Sequence, residues 1–523
     1  MTGGLIQLVG YGFDNMYLTN NPQVTFFKLV YRRYTNFSIE QIPQYFTNTA
    51  NFGQTYTCNI SKRGDLIGET HLVIKLPRIR ASDDPMIQYA WVKKLGFAII
   101  KSVEIEINGK VLDTHYGEWL NLWAELTGKI KGNHEVGYNK MIGNVPEMTD
   151  FSNGKDGYLL YIPMQFWFCR NSGSVLPLIS LQYCDIKLNV EFQDADKCYI
   201  ITPTHYIQCI DDIVNFTKYE YIEQRINNVT NAGIFLDYDI NTKRLYYTKI
   251  TNQKLLAMQV DGSVDMSNDT NVNLKLNSAT GQQYAITGKT SGYTTYGKFN
   301  TTSLSYGSTK IRNLNFVESF FLVTYYYLDE DERYKFAESK HDYIIEQLFY
   351  TPSTKIDVVS ANPLIVADHP TKLIVWVVQL DYLEKYGDYF NYTDSYQYKL
   401  FEEDISNYKI GETMGKSLIT DETILFNGNP RLTYRNANYF DTIQPLQYTK
   451  TTPSTGINMF SFCLQPFSTQ LSGSCNMSQI DNLRMKMKLS SIISNTNSAF
   501  FRSYALGYQI LRISNGLIGR VFT

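Results

Sequence analysis

Three stretches of this chain alternate between apolar and polar side chains. Val103, Ile105 and Ile107 alternate with Glu104 and Glu106; Ile186, Leu188, Val190 and Phe192 alternate with Lys187, Asn189 and Glu191; Leu483, Met485, Met487 and Leu489 alternate with Arg484, Lys486 and Lys488. Successive side chains of a strand point to opposite faces, so each stretch has one apolar and one hydrated face. This is the pattern of antiparallel strands in a two-sheet sandwich. Asn108-Gly109 follows the first stretch and predicts a type I′ hairpin turn into Val111-Leu112.

Helical signals are few. Trp119, Leu122, Trp123 and Leu126 fall at helical spacing, and Gly128 follows as a stop. The acidic run 329–332 opens a second helix, expected to continue through Phe336, Tyr343 and Ile344. Its acidic first turn suits the positive end of the helix dipole. Between strand-rich segments, that helix reads as a junction of two antiparallel β units. At 523 residues the chain is too long for one ordinary core, which agrees. Residues 194–318 differ in texture, being rich in Asn, Thr, Gly and Tyr, with short strand patterns at 244–250, 255–260 and 272–276. They predict a β-rich surface insertion in the first unit. The apolar run 374–378 has the length of a buried strand, and no run approaches the ~18–20 residues needed to cross a bilayer.

Composition narrows the function. Formal net charge is −2, from 48 basic and 50 acidic side chains, with no basic tract. A protein that coats nucleic acid carries a basic surplus, so direct nucleic-acid binding is not expected. The Tyr31-Arg32-Arg33-Tyr34 cluster supplies too few charges for a phosphate track and reads as packing against a neighbour. Charged residues make up 19%, below the roughly 25% of soluble proteins, while Tyr numbers 41. Tyr suits surfaces that become interfaces, and β-rich proteins also favour it. The seven Cys are scattered without CxxC spacing and read as free thiols in a reducing compartment.

No motif points to catalysis, and no cofactor or metal is expected. Gly281 to Gly288-Lys289-Thr290 and Gly411 to Gly415-Lys416-Ser417 have the wrong glycine spacing for a phosphate-binding loop. The six His form neither HExxH nor a zinc cluster, and there is no GxSxG elbow. Arg63-Gly64-Asp65 reads as a strand junction rather than a receptor-binding tripeptide. Among eight Asn-x-Ser/Thr sequons, Asn228, Asn268, Asn300 and Asn391 are the glycosylation candidates.

The opening of the chain lacks the charged and apolar regions of a signal peptide. With Gly at 3, 4, 10 and 12 and the breaker Asn20-Asn21-Pro22, it reads as an extended, non-helical, sticky arm. Its segments Gly3-Gly4-Leu5-Ile6-Gln7-Leu8-Val9, Pro22-Gln23-Val24-Thr25-Phe26-Phe27-Lys28 and Tyr31-Arg32-Arg33-Tyr34-Thr35-Asn36-Phe37 resemble the start of the major capsid proteins of large eukaryotic DNA viruses, in the algal and giant-virus branch. Ile162-Pro163-Met164-Gln165-Phe166-Trp167-Phe168, Tyr327-Leu328-Asp329 and Ser472-Gly473-Ser474-Cys475-Asn476-Met477-Ser478 continue the resemblance in the same order. Gln479 departs from it, standing where relatives commonly carry Arg.

The resemblance implies an all-β chain: two consecutive eight-stranded antiparallel jelly-roll sandwiches, few short helices and a long loop insertion in the first. It implies an arm over 1–26, a first jelly roll over 27–328 with the insertion at about 194–318, a helical linker over 329–340 and a second jelly roll over 341–523. The first sandwich is expected to resume and close at 304–306 and 320–327. The arm implies inter-subunit contacts at the capsomer base through Leu5, Leu8, Tyr11, Tyr17, Phe26, Tyr31, Arg32 and Arg33. The implied function is a non-enzymatic major capsid protein, trimerising into pseudo-hexagonal capsomers of an icosahedral virion assembled in the host cytoplasm. The implied partners are further copies of itself, neighbouring capsomers, minor capsid and penton proteins and internal membrane-associated proteins. Two alternatives stay open at this stage: a scaffold or minor capsid protein of the same fold, and a β-sandwich carbohydrate-binding or carbohydrate-active protein.

Overall fold

The computed structural model describes residues 3–9, 27, 35–131, 134–226, 229–249, 258–259, 282–283, 285–289, 291–297, 303–307, 310–311, 313–385, 387–394, 415–495 and 497–522. The first sandwich is built from β1 (Phe37–Tyr45), β2 (Thr55–Asn59), β3 (Leu66–Lys75), β4 (Ile100–Ile107), β5 (Lys110–Tyr116), β6 (Leu159–Pro163), β7 (Ile186–Phe192) and β8 (Glu318–Leu328). The second uses β9 (His341–Ile356), β10 (Ser360–Ala361), β11 (Pro370–Leu380), β12 (Ile419–Phe426), β13 (Asn429–Pro430), β14 (Ile457–Ser461), β15 (Leu483–Leu489) and β16 (Ala499–Ser514).

Strand order shows a duplication that residue identities conceal. The first sandwich has sheets β1-β8-β3-β6 and β2-β7-β4-β5; the second has β9-β16-β11-β14 and β10-β15-β12-β13. Both follow the same path, first-eighth-third-sixth and second-seventh-fourth-fifth, which is the jelly roll. Even a minor pairing recurs. Leu176–Pro177 pairs with β3 and Cys475–Asn476 with β11, each lying between the sixth and seventh strands.

The alternating stretches are β4, β7 and β15, and their apolar residues enter the cores. Ile42, Leu72, Ile105, Ile162, Leu188, Phe321 and Val323 meet in the first core. Ile374, Trp376, Ile424, Met485, Met487 and Phe501 meet in the second. Asn108 and Gly109 adopt φ of 52° and 77°, the two left-handed residues that a type I′ turn between β4 and β5 requires.

Four helices matter here: α1 (Gly3–Val9), α2 (Gly117–Leu126), α3 (Glu330–Glu338) and α4 (Gln444–Tyr448). α1 corrects the reading of the opening as non-helical. Leu5, Gln7 and Leu8 are good helix formers, and local i→i−4 bonds satisfy a backbone that has no strand partner there. α3 is shorter than the sequence suggests. Asp329 caps it, its carboxylate accepting from Glu330 N at 2.9 Å, but the chain turns extended at Ser339. Tyr343 and Ile344 lie in β9, paired with Leu511 and Ile510, because the β16 ladder outweighs local helical spacing.

Between β7 and β8 a seven-stranded sheet runs in the order 294–296, 285–288, 221–226, 229–239, 244–249, 205–208, 304–305. It has its own core of Ile207, Cys209, Phe216, Ile222, Phe235, Leu245, Tyr247 and Ile286. The expected strand at 244–250 is present as 244–249, and part of that at 255–260 as 258–259; 272–276 lies outside the described residues. Residues 304–305 pair with Tyr206 and His205 of this sheet, so the first sandwich is closed by β8 and not by 304–306.

One buried acid sets a pH dependence. Glu422 on β12 is fully buried, with Oε2 accepting from Trp376 Nε1 at 2.8 Å. Burial pushes its carboxyl up to about 8; the Trp376 bond opposes this and Asp441 adds to it. A raised folded-state pKa means that the stability is present below about 4.5, the unfolded value, and is lost as pH rises through about 8. Glu422→Gln keeps the shape and removes the proton requirement. Its melting temperature is expected to exceed wild type by several degrees at pH 8.5, the gap closing near pH 4.5. An equal gap at both pH values contradicts this assignment.

Candidate functional site at the junction of the two sandwiches

Helix α2 is apolar on two sides. Leu120 and Ala124 join the first core, while Trp119, Leu122, Trp123 and Leu126 lie on the outer face of the β9-β16-β11-β14 sheet. That face presents Leu348, Tyr504, Leu506, Leu373, Val375, Val377, Ile457 and Met459. β11 is therefore covered on both faces, which explains why 374–378 reads as a continuous apolar run. Each such large side chain removed from water contributes about 1.5–3 kcal/mol. The helix makes the two sandwiches one body.

Buried charges ring this contact. Arg502 of β16 sits with Nε 2.8 Å from Glu118 of α2 and Nη1 3.1 Å from Glu384. Glu118 also accepts from the hydroxyls of Tyr504 at 2.6 Å and Tyr392 at 3.2 Å. Burial works against the Arg502 charge, but Glu118 and Glu384 outweigh it and hold the guanidinium protonated. At the other end of α2, Glu125 is 1% exposed. Lys94 Nζ lies 2.7 Å and Lys131 Nζ 3.4 Å from it, and Ser454 Oγ donates at 3.2 Å. Burial raises the Glu125 carboxyl, yet the two lysines and these bonds win and hold it at about 2.

A third cluster joins Arg170 and Lys372, both paired with Glu346, the guanidinium stacking 4.0 Å above Trp123. The Asp113 carboxylate of β5 accepts from Leu348 N of β9 at 3.1 Å, tying a side chain of one sandwich to the backbone of the other. A cleft of about 1410 Å³ opens beside these groups, lined by Trp123, Arg170, Glu346, Lys372, Thr449 and Phe467 among others. Among the described residues no group of His, Cys, Asp or Glu is arranged to hold a metal ion. The pairs Arg502–Glu118 and Arg170–Glu346 neutralise charge across the two halves of the chain, so their chemistry is cohesion.

The expected site residues fall in different places. Leu5 lies exposed on α1, and Leu8 belongs to the same helix, its side chain outside the described set. Tyr11, Tyr17, Phe26, Tyr31, Arg32 and Arg33 lie outside the described residues, as do Asn228, Asn268 and Asn300. Asn391 is a correction. It is 5% exposed, its amide donates to Asp388 at 2.8 Å, and its carbonyl accepts from Thr393 N and Oγ1. The Asn-x-Thr pattern there serves an internal turn, so Asn391 is no glycan acceptor in the folded chain.

Within Arg63-Gly64-Asp65 the acid turns inward although Arg63 is exposed. Asp65 is buried, accepting from Leu328 N at 2.9 Å, and a Cβ on Gly64 would meet Tyr325 at 2.8 Å. The junction charges were missed from sequence. The only signal was Arg502 beside the apolar pair Phe500-Phe501, and a lone charge in a strand pattern normally faces solvent.

A duplicated jelly roll locked by a shared helix defines a protein of the double jelly-roll class. Family models agree: "Major capsid protein N-terminus" matches residues 25–240 and "Large eukaryotic DNA virus major capsid protein" matches 332–519. The chain is 38% identical to "Probable capsid protein 4" of Acanthamoeba polyphaga mimivirus, over 100% of this chain and 99% of that protein. It is 29% identical to the "Major capsid protein" of Phaeocystis pouchetii virus, over 100% of both. The solved Faustovirus major capsid protein shares the fold with a TM-score of 0.64 at 12% identity, covering 98% of this chain and 96% of that one. The chain belongs to the large eukaryotic DNA virus major capsid protein family. It is a structural, non-enzymatic component of an icosahedral virus capsid.

Two outcomes test the junction. Arg502→Leu leaves Glu118 buried without its cation, and the expected cost is about 3–5 kcal/mol by denaturant or thermal melting. A loss under about 1 kcal/mol would contradict the cohesive role. In protein purified from virions, peptide mass spectrometry is expected to find the Asn391 peptide unglycosylated; a glycan there contradicts its burial.

Proposed function

We propose that three copies of this chain form a closed homotrimer with a pseudo-hexagonal outline, and that these capsomers tile the shell. The observation that carries this reading is the repeated jelly roll with its buried junction. Two equivalent units held as one body let three chains present six similar blocks, and closed symmetry satisfies the contacts without open fibres. The division into an arm over 1–26, a first jelly roll over 27–328, a linker over 329–340 and a second jelly roll over 341–523 belongs to this proposal. In it the arm lies at the capsomer base and touches neighbours, while the inserted sheet forms an outward crown. Minor capsid and penton proteins and internal membrane-associated proteins contact the capsomer, assembly takes place in the host cytoplasm, and nucleic acid is not touched. The near balance of charge supports the last point.

Light scattering of the purified protein at several concentrations tests the trimer. The expected mass is about 180 kDa, three times the 60.3 kDa chain. A folded species that stays near the mass of one chain overturns it. A second reading, a less abundant capsid component of the same fold, is favoured by the 38% identity to a capsid protein designated by number rather than as the major one. Quantitative mass spectrometry of virions separates the two, the principal reading requiring this chain to be among the most abundant proteins.

A further inference from the structure

The two sandwiches share a strand order but not a state of burial. On the second, the cross-sheet row Tyr350, Tyr504, Val375, Met459 runs over the outer face of β9-β16-β11-β14. α2 covers it, Trp119 stacking 5.6 Å from Tyr504. On the first, a row of similar residue types on β1-β8-β3-β6 is Tyr45, Phe320, Val73, Tyr161. Next to it lies Pro43, Leu322, His71, Pro163. In both sandwiches a first-strand Tyr and an eighth-strand aromatic stand beside a third-strand Val and a large sixth-strand side chain. At the margins of this row Tyr45 is 59% and Ile39 55% exposed, and Tyr161 and Leu159 on β6 are exposed too, while Val73 at its centre is 1% exposed.

The helix shows the same asymmetry. α2 occupies the connection between fifth and sixth strands of the first sandwich. The corresponding connection of the second contains a π-helical turn, Tyr439–Ile443, followed by α4. Like α2, this segment is anchored on its own core: Phe440 is fully buried, 5.3 Å from Trp376. Its other side carries Ile443 and, three residues on, Leu446, which is 71% exposed. Each chain thus holds one filled seat, one seat whose margins are exposed and one helical segment with an exposed apolar side.

We propose that the 439–448 segment of a second copy of this chain docks on the outer face of β1-β8-β3-β6, as α2 docks within the chain. The occupant is argued from the chain's own filled seat, which shows that a fifth-to-sixth-strand helix fits this face of a jelly roll. The contact is heterologous, helix to sheet, so it propagates from chain to chain and ends only when a ring closes. This deepens the trimer reading and rests on it, adding which surfaces meet and in which direction.

The test uses the full-length chain with Tyr45→Cys and Leu446→Cys made singly and together, treated with a short thiol-to-thiol crosslinker. Five of the seven native cysteines are buried, and single variants report any background. Coexpressed single variants are expected to give a crosslinked dimer that neither gives alone, and the double variant a covalent trimer. Leu446→Asp, at an exposed position that leaves the fold intact, is expected to weaken the trimer at least tenfold in dissociation constant. A stable trimer with neither effect overturns this docking and leaves the trimer reading standing. A wild-type monomer overturns that reading itself. A link confined within one chain shows that the chain's own segment fills the seat, and also overturns the proposal.

Discussion

The structure depends on one sheet being buried from both sides. The inner face of β11 supplies Ile374, Trp376 and Val378 to its own core, and the outer face supplies Leu373, Val375 and Val377 to α2. An antiparallel sheet can leave one face in water, and most do. Covering it with a helix from the other half of the chain turns two domains into a single block. Inter-domain contacts within a chain are usually small and polar enough to allow relative motion. Here the contact is aromatic and apolar at its centre, with its charges paired at the rim.

Those charges have a division of labour. Arg502 with Glu118, and Arg170 with Glu346, join residues far apart in sequence, so each is satisfied only when the sandwiches are docked in register. Glu125 is held by Lys94 and Lys131 of its own half and reached from the second by Ser454. Buried ion pairs add little over well-packed apolar groups, but breaking one is costly, so they penalise misdocked arrangements more than they stabilise the right one. Glu422 is the counter-case. Its environment favours the neutral acid and weakens the fold as pH rises.

Much of this was legible in the residues, and the rest was hidden for identifiable reasons. β4, β7, β15 and the Asn108-Gly109 turn could be read directly because period-two alternation and left-handed turn residues have local causes. α2 was visible as a helix, but its role was not: four large apolar residues at helical spacing look alike whether they face their own core or another. α3 was over-extended because Tyr343 and Ile344 continue a helical spacing that pairing with β16 overrides. Two-residue strands such as β10 and β13 carry no pattern of their own. The duplication left no trace because strand order resides in hydrogen bonding, which tolerates any residues of suitable size and alternation. Family membership was readable only from the motifs at the two ends and the middle of the chain. One of them has a clear structural cause: Asn476 accepts from Ser478 N, Ser478 donates to Asp368, and Met477 is buried, fastening that loop to the start of β11.

The two halves diverge most where divergence costs least. The connection between seventh and eighth strands spans only 490–498 in the second sandwich, whereas in the first it spans 193–317 and folds into a further sheet. Loop-closure entropy grows only logarithmically with length, so the sandwich tolerates the insertion as long as β7 and β8 keep their neighbours. An excursion of that size must bury its own apolar groups, and this one does so around Tyr247, Phe235 and Ile286. Ala232 and Ile234 on the other face of that sheet join the second sandwich core, so it is the residues of the separate core that can change without disturbing the strand order or the α2 contact. A chain built this way confines variation to one connection while the surfaces that hold its two halves together stay under the constraints of a packed core.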